Sequence, residues 1–166
     1  MTTKMLILGG YGLFGGMISQ SLCGQENIQV IIAGRSLEKA QHFAASCPQT
    51  PHAPDVAVLD IENGFAEKLA AIAPDIVIHT CGPFQGQNYG VARACIAQGC
   101  HYIDLADARD FVAHIDRLDH DARAKNVSII SGASSVPCLT AAVIDAYPPR
   151  FPHVFYLELR HAGSRR

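Results

Sequence analysis

The sequence predicts an α/β fold: a doubly wound parallel sheet with strand order 3-2-1-4-5-6. Three observations carry this. Short apolar runs alternate with segments of helical spacing six times along the chain, the pattern of βα units. Runs such as Val30-Ile31-Ile32 and Ile76-Val77-Ile78 are contiguous rather than alternating, as strands covered on both faces are. Right-handed crossovers then leave few arrangements, and the glycine cluster after the first run selects the one that reverses at strand 1.

The first unit is Lys4 to Leu22, KMLILGGYGLFGGMISQSL. Met5 to Leu8 is the strand, and Leu13, Met17, Ile18 and Leu22 share one side of the predicted helix. Between them, Gly10-Tyr11-Gly12-Leu13-Phe14-Gly15 fits the G-x-G-x-x-G dinucleotide fingerprint. Gly10 permits the tight turn, Gly12 lets backbone approach a pyrophosphate, and Gly15 lets helix pack on strand. The N–H groups that open the helix lack intrahelical partners and face the anion. In a chain with 14 glycines the hexapeptide alone is weak, and the strand before and helix after give it weight.

Asn27 to Ala33 is the second strand, and Gly34-Arg35-Ser36 ends it. A site built for NAD(H) places a carboxylate here for the ribose 2′-hydroxyl. This chain places Arg35, which can pair with a 2′-phosphate and stack on adenine, so NADP(H) is favoured over NAD(H). The plainer readings are a solvated Arg35 and a Ser36 that caps the next helix. That helix runs from Leu37 to Cys47 with Leu37, Ala40, Ala44 and Cys47 inward, and Pro48, Pro51 and Pro54 then force a loop.

Asp55 to Asp60 is a short third strand near an edge. Asp60, at its carboxyl end, is either a contact to the adenine amino group or a charge before the next helix, whose apolar side is Phe65, Leu69 and Ile72. Asp75 to Thr80 is the fourth strand. Cys81-Gly82-Pro83 follows it beside the topological switch point, where Thr80, Cys81, Gly82 and Pro83 are expected along the nicotinamide half, with Phe84 as a wall. Cys81 has only His79 nearby as a base and is not assigned as a nucleophile. Asn88 to Gln98 is a helix capped by Gly99. Cys100 to Leu105 is the fifth strand, with Asp104 near its end as a polar contact or an acid/base group, against the commoner helix-capping or loop role of the acids around Asp107. Phe111, Ile115, Leu118 and Ala122 mark one long helix, Val127 to Ser131 the sixth strand, and Leu139 to Ala146 a last helix. Ser134 and Ser135, in the loop before it, are read chiefly as caps.

Composition narrows the function. With 166 residues, 49% of them hydrophobic and 17% charged, the chain can bury one sizeable core. A net charge of −2 and no basic run before Arg165-Arg166 argue against nucleic acid and anionic membranes as partners. Six scattered cysteines without C-x-x-C fit a reducing, cytoplasmic setting. The eight histidines show no H-x-x-x-H spacing, so no metal site is expected. The glycines also interrupt what would otherwise resemble a signal peptide.

Taken together, GGYGLFGG, AGRS, HTCGPFQGQNYGVARACIAQGCHYIDLAD and SGASSVPCLTAAVIDA resemble the saccharopine dehydrogenase-like family of oxidoreductases, over the stretch from Lys4 to Ala146. The resemblance implies a two-domain NAD(P)-dependent enzyme, with a Rossmann cofactor domain first and a substrate and dimerisation domain second. Its members handle unlike substrates, so it does not name one. Residues 1–147 are expected to be the NAD(P)-binding domain. Residues 148–166 are expected to be a linker and the start of a truncated second domain, with 154–160 alternating like a strand. The chain is thus expected to be the cofactor part of an oxidoreductase whose small-molecule substrate needs a missing domain. A homodimer through the free edge of 154–160 is the expected assembly. A non-catalytic NADP(H) sensor is the alternative function.

Overall fold

A computed structural model describes residues 2–49 and 51–134. Strand β1 (Thr3–Leu8) is followed by α1 (Leu13–Leu22), β2 (Ile28–Gly34), α2 (Leu37–Ser46), β3 (Asp55–Val58), α3 (Phe65–Ile72) and β4 (Ile76–His79). Then come α4 (Gly90–Gln98), β5 (His101–Asp104), α5 (Arg109–Ala113), a 3₁₀ turn (Ile115–Leu118), α6 (Asp119–Ala124) and β6 (Ile129–Ile130). The six strands form one sheet in the order β3-β2-β1-β4-β5-β6, and every pairing is parallel. This is the expected doubly wound sheet.

The contiguous apolar strands have the expected cause. Alternate residues of each central strand enter opposite cores. Leu6, Leu8, Ile31, Ala33 and Val77 face Leu69 of α3, Val91 and Cys95 of α4, and Leu118. Ile7, Val30, Ile32 and Ile78 face Ala40 and Ala44 of α2, with Cys23 and Cys47. Leu6, Ile7, Ile32, Leu69 and Val77 are fully buried, each stabilising the fold by about 1.5–3 kcal/mol relative to exposure.

The structure departs from expectation in four places. Helix α1 docks through only part of its expected apolar side: Ile18 and Leu22 pack against the core, but Leu13, Phe14 and Met17 are 78%, 61% and 64% exposed, while Gly15, Gly16 and Ser19 are buried. A helix that approaches the sheet through glycines comes too close for leucine or methionine to lie between them. The long helix after β5 is instead α5, a 3₁₀ turn and α6. His114, which joins the first two, has φ −112° and ψ 12°, outside the helical region. Its apolar periodicity persists through the break because Phe111, Leu118 and Ala122 all remain buried. Strand β6 is only two residues, and β3, at the opposite edge, is four. The predicted helix 139–146, the serine at 135, the linker and the 154–160 strand lie outside the described residues.

Candidate functional site

The carboxyl ends of β1, β2 and β4 bring most of the expected site residues to one edge of the sheet. The turn after β1 is held by the N–H groups of Gly9 and Gly10, both donating to the Ala33 carbonyl at 2.9 and 3.0 Å, and by Gly12 N–H donating to Gly9 O at 2.8 Å. Buried Ser19 of α1 donates its hydroxyl to Gly10 O at 2.8 Å. Gly15 is where strand, turn and helix meet: a Cβ there would overlap the Gly9 carbonyl oxygen and come within 2.6 Å of Thr80 Oγ1. Thr80 itself donates to Leu8 O at 2.7 Å, fixing the end of β4 to the end of β1.

Gly12 is different. It is the N-cap of α1, it carries no capping hydrogen bond, and no acidic side chain stands in the first turn. A Cβ at Gly12 would meet only Gly9 O, at 3.1 Å. The opening N–H groups of α1 lie beside exposed Leu13 and Phe14, with no acidic side chain in that turn to repel an anion. These residues fit the pyrophosphate of a dinucleotide.

Tyr11 is turned toward β2. Its phenol oxygen accepts the N–H of Ser36 at 3.0 Å. Ser36 also caps α2, accepting the Lys39 N–H at 3.3 Å, so the capping reading holds alongside any ligand role. Arg35 is exposed, and its positive charge reaches both Asp60 and Cys81. Asp60 is occupied locally: its oxygens accept from Asn63 Nδ2 at 2.9 Å and Glu62 N–H at 3.0 Å. Those bonds, Asn63 first, with a lesser pull from Arg35, hold its carboxyl below the usual range. It is a turn residue before α3 as well as a charge facing Arg35.

The loop after β4 carries the cis peptide Gly82–Pro83. It is clamped by Gln87, whose Nε2 donates to Cys81 O and Pro83 O, both at 2.8 Å. No spacing rule singles out Gln87. Burial pushes the Cys81 thiol up to about 11, against a smaller opposing effect of Arg35. Phe84 turns mostly inward. It is 4% exposed and packs edge-on to His79 at 5.0 Å and against Phe111 at 5.5 Å.

Below this loop lies a polar group that the spacing of the chain did not reveal. His79 Nδ1 is 3.1 Å from the Tyr102 hydroxyl. Burial pulls His79 down to about 4 despite Asp104 nearby, and burial, then Asp104, pushes the Tyr102 phenol up. Asp104 Oδ1 accepts from Ala106 N–H and Gly132 N–H, both at 2.9 Å, and from Ser131 Oγ at 3.0 Å. Of the alternatives open for Asp104, the structure shows the loop role. A cleft of about 630 Å³ flanks Phe84, Gln85, Tyr89, Asp107, Arg109 and Arg117, beside the loop and away from the glycine turn. Among the described residues no three His, Cys, Asp or Glu side chains converge as metal ligands, and no helix is long and apolar enough to cross a membrane.

Comparison with known proteins bears on this edge of the sheet. The family model "Saccharopine dehydrogenase NADP binding domain" matches residues 5–130. No curated protein matches the chain. Among solved structures, the apo saccharopine dehydrogenase (L-Glu forming) of Saccharomyces cerevisiae is 19% identical, with a TM-score of 0.64 over 87% of this chain and 31% of that one. The 2-keto-3-deoxy-D-gluconate dehydrogenase of Streptococcus agalactiae is 12% identical, with a TM-score of 0.59 over 78% of this chain and 66% of that one. GenD2 from gentamicin A biosynthesis, in complex with NAD, is 18% identical, with a TM-score of 0.55 over 79% of this chain and 34% of that one. At these identities the likeness is one of fold. The chain spans 31% of the yeast enzyme's length.

Proposed function

Because this chain belongs to the saccharopine dehydrogenase NADP binding domain family, we propose that it is the cofactor-binding part of an NAD(P)-dependent oxidoreductase and that it prefers NADP(H). The observation that carries the preference is the end of β2. Arg35 and Ser36 stand where an NAD(H) site would offer a carboxylate, and Tyr11 fixes the Ser36 backbone beside the glycine turn. Gly10, Gly12 and Gly15, with the N–H groups from Leu13 onward, hold the pyrophosphate. Arg35 and Ser36 take the 2′-phosphate, Asp60 lies on the adenine side, and Thr80 to Pro83 border the nicotinamide. The cofactor supplies hydride transfer; the chain supplies binding and orientation.

The same reading assigns residues 1–147 to the cofactor domain and 148–166 to a linker and the start of a second domain. That domain would complete the substrate site and join two copies into a cytoplasmic homodimer. One observation favours the alternative of a non-catalytic NADP(H) sensor. At the ends of β4 and β5, His79 and Asp104 are both fully buried, and burial pushes the Cys81 thiol up to about 11. Turnover of NADPH with a carbonyl or imine substrate separates the two.

The test is calorimetric titration of the purified chain with NADPH and with NADH, repeated on Arg35→Asp. NADPH is expected to bind more tightly to the wild type, and Arg35→Asp to weaken NADPH by about tenfold or more while leaving NADH nearly unchanged. Equal NADPH affinity in both proteins would remove the specificity argument.

A further inference from the structure

We infer that Tyr11 is a positioning residue for cofactor selection, fixing the Arg35–Ser36 turn so that the site discriminates a ribose 2′-phosphate from a 2′-hydroxyl. The inference rests on the reading of Arg35 and Ser36 given above and deepens it.

The fingerprint assigns no role to the side chain between its first two glycines. In this chain that side chain crosses to the next βα unit. The ring lies over the end of β2 so closely that a Cβ on Gly34 would come within 2.5 Å of Tyr11 Cε1 and of the phenol oxygen. Tyr11 also packs against the apolar cluster that β1 and β2 share with α2. Its hydroxyl then accepts the Ser36 N–H at 3.0 Å. On its other side Ser36 is committed to α2, through its hydroxyl to Lys39 N–H and its carbonyl to Ala40 N–H. Ser36 is thus tied to the helix on one side and to the glycine turn, through Tyr11, on the other.

This tie has a chemical consequence. A dianionic 2′-phosphate gains most from donors already held in position, because ordering them on binding costs conformational entropy. Arg35 and Ser36 are those donors, and the phenol orders the backbone that carries them. A 2′-hydroxyl asks little of that turn. Loss of the Tyr11 hydroxyl should therefore fall on the phosphorylated cofactor. The absence of a side chain at Gly34 is part of the same device, since any Cβ there would displace the ring.

The experiment compares Kd for NADPH and for NADH, by calorimetry on the full chain, in the wild type, Tyr11→Phe and Gly34→Ala, with thermal melts as the control for folding. Tyr11→Phe keeps the ring and loses only the hydrogen bond. It is expected to weaken NADPH by about five- to tenfold, the size of one such bond, and to leave NADH within about twofold. Gly34→Ala is expected to lower the same selectivity ratio by pushing the ring aside. A purely structural Tyr11 would weaken both cofactors equally; that result, or an unchanged ratio, overturns the inference while leaving the Arg35 reading in place. A wild type with no preference for NADPH overturns both.

Discussion

His79 of β4 and Asp104 of β5 stand opposite each other in the parallel register, 1% and 0% exposed. Neither His79 Nε2 nor Asp104 Oδ2 has a hydrogen-bond partner among the described residues. Burial holds His79 at about 4, against the ordinary 6.5. The unfolded chain therefore takes up this proton before the folded one does. The His79 contribution to stability is intact above the ordinary value, declines as pH falls from 6.5 toward 4, and does not decline further below that. The whole effect is about 3 kcal/mol. Urea midpoints measured between pH 7 and pH 4 should show this slope in the wild type, and a flatter one in His79→Gln.

Asp104 should be sensitive to truncation but tolerant of its amide. Three donors converge on one oxygen, Oδ1, and they hold the start of the Leu105 loop to Ser131 and Gly132. Asp104→Ala leaves one buried and two part-buried donors without their acceptor and should cost about 2–3 kcal/mol. Asp104→Asn keeps an acceptor oxygen and should cost about 1 kcal/mol. Denaturant titration of the two variants checks the ordering.

The glycines at 12 and 15 separate binding from folding. A Cβ at Gly15 meets the Gly9 carbonyl and Thr80, so Gly15→Ala should lower stability by about 1–3 kcal/mol. At Gly12 a Cβ would meet Gly9 O alone, at 3.1 Å, and φ is −79°. Gly12→Val should keep most of the melting temperature and lose dinucleotide binding. Paired melts and titrations would show two variants failing in different assays.

Cys81 should be a poor nucleophile despite its place at the sheet edge. With its thiol raised from 9.0 to about 11, the thiolate fraction near neutral pH drops by about 100-fold, and reactivity follows thiolate. Timed iodoacetamide labelling with peptide mass spectrometry should find Cys81 alkylated about 100-fold more slowly than a free thiol.

Much of this was legible in the chain. Strand order and the sites of turning follow from apolar runs and glycines, because those features act locally and repeat. Gly99 ends α4 in the left-handed conformation, as read. Three features were not legible, each for a physical reason. Helix α1 reads as one apolar stripe, yet only Ile18 and Leu22 of it reach the core and its opening turns dock through glycines, because close approach to a strand removes the room that Leu13 and Met17 would need. Phe84 follows a loop motif but falls inward, since His79 and Phe111, distant in sequence, make an apolar seat for it. The links from Tyr11 to Ser36 and from His79 to Tyr102 join residues 25 and 23 positions apart; such pairs leave no periodic trace.

The central position of β1 also shapes how the chain is made. One flank of β1 pairs with β2, which follows at once. The other flank waits for β4, and the Lys4 N–H waits for the Asp75 carboxylate, 71 residues later. At about 5–20 residues per second of synthesis, Leu6 to Leu8 spend several seconds on the ribosome as an apolar edge with unpaired backbone groups. A central strand of the finished protein is therefore an exposed aggregation hazard during translation, and any pause before Ile76 emerges would lengthen that exposure.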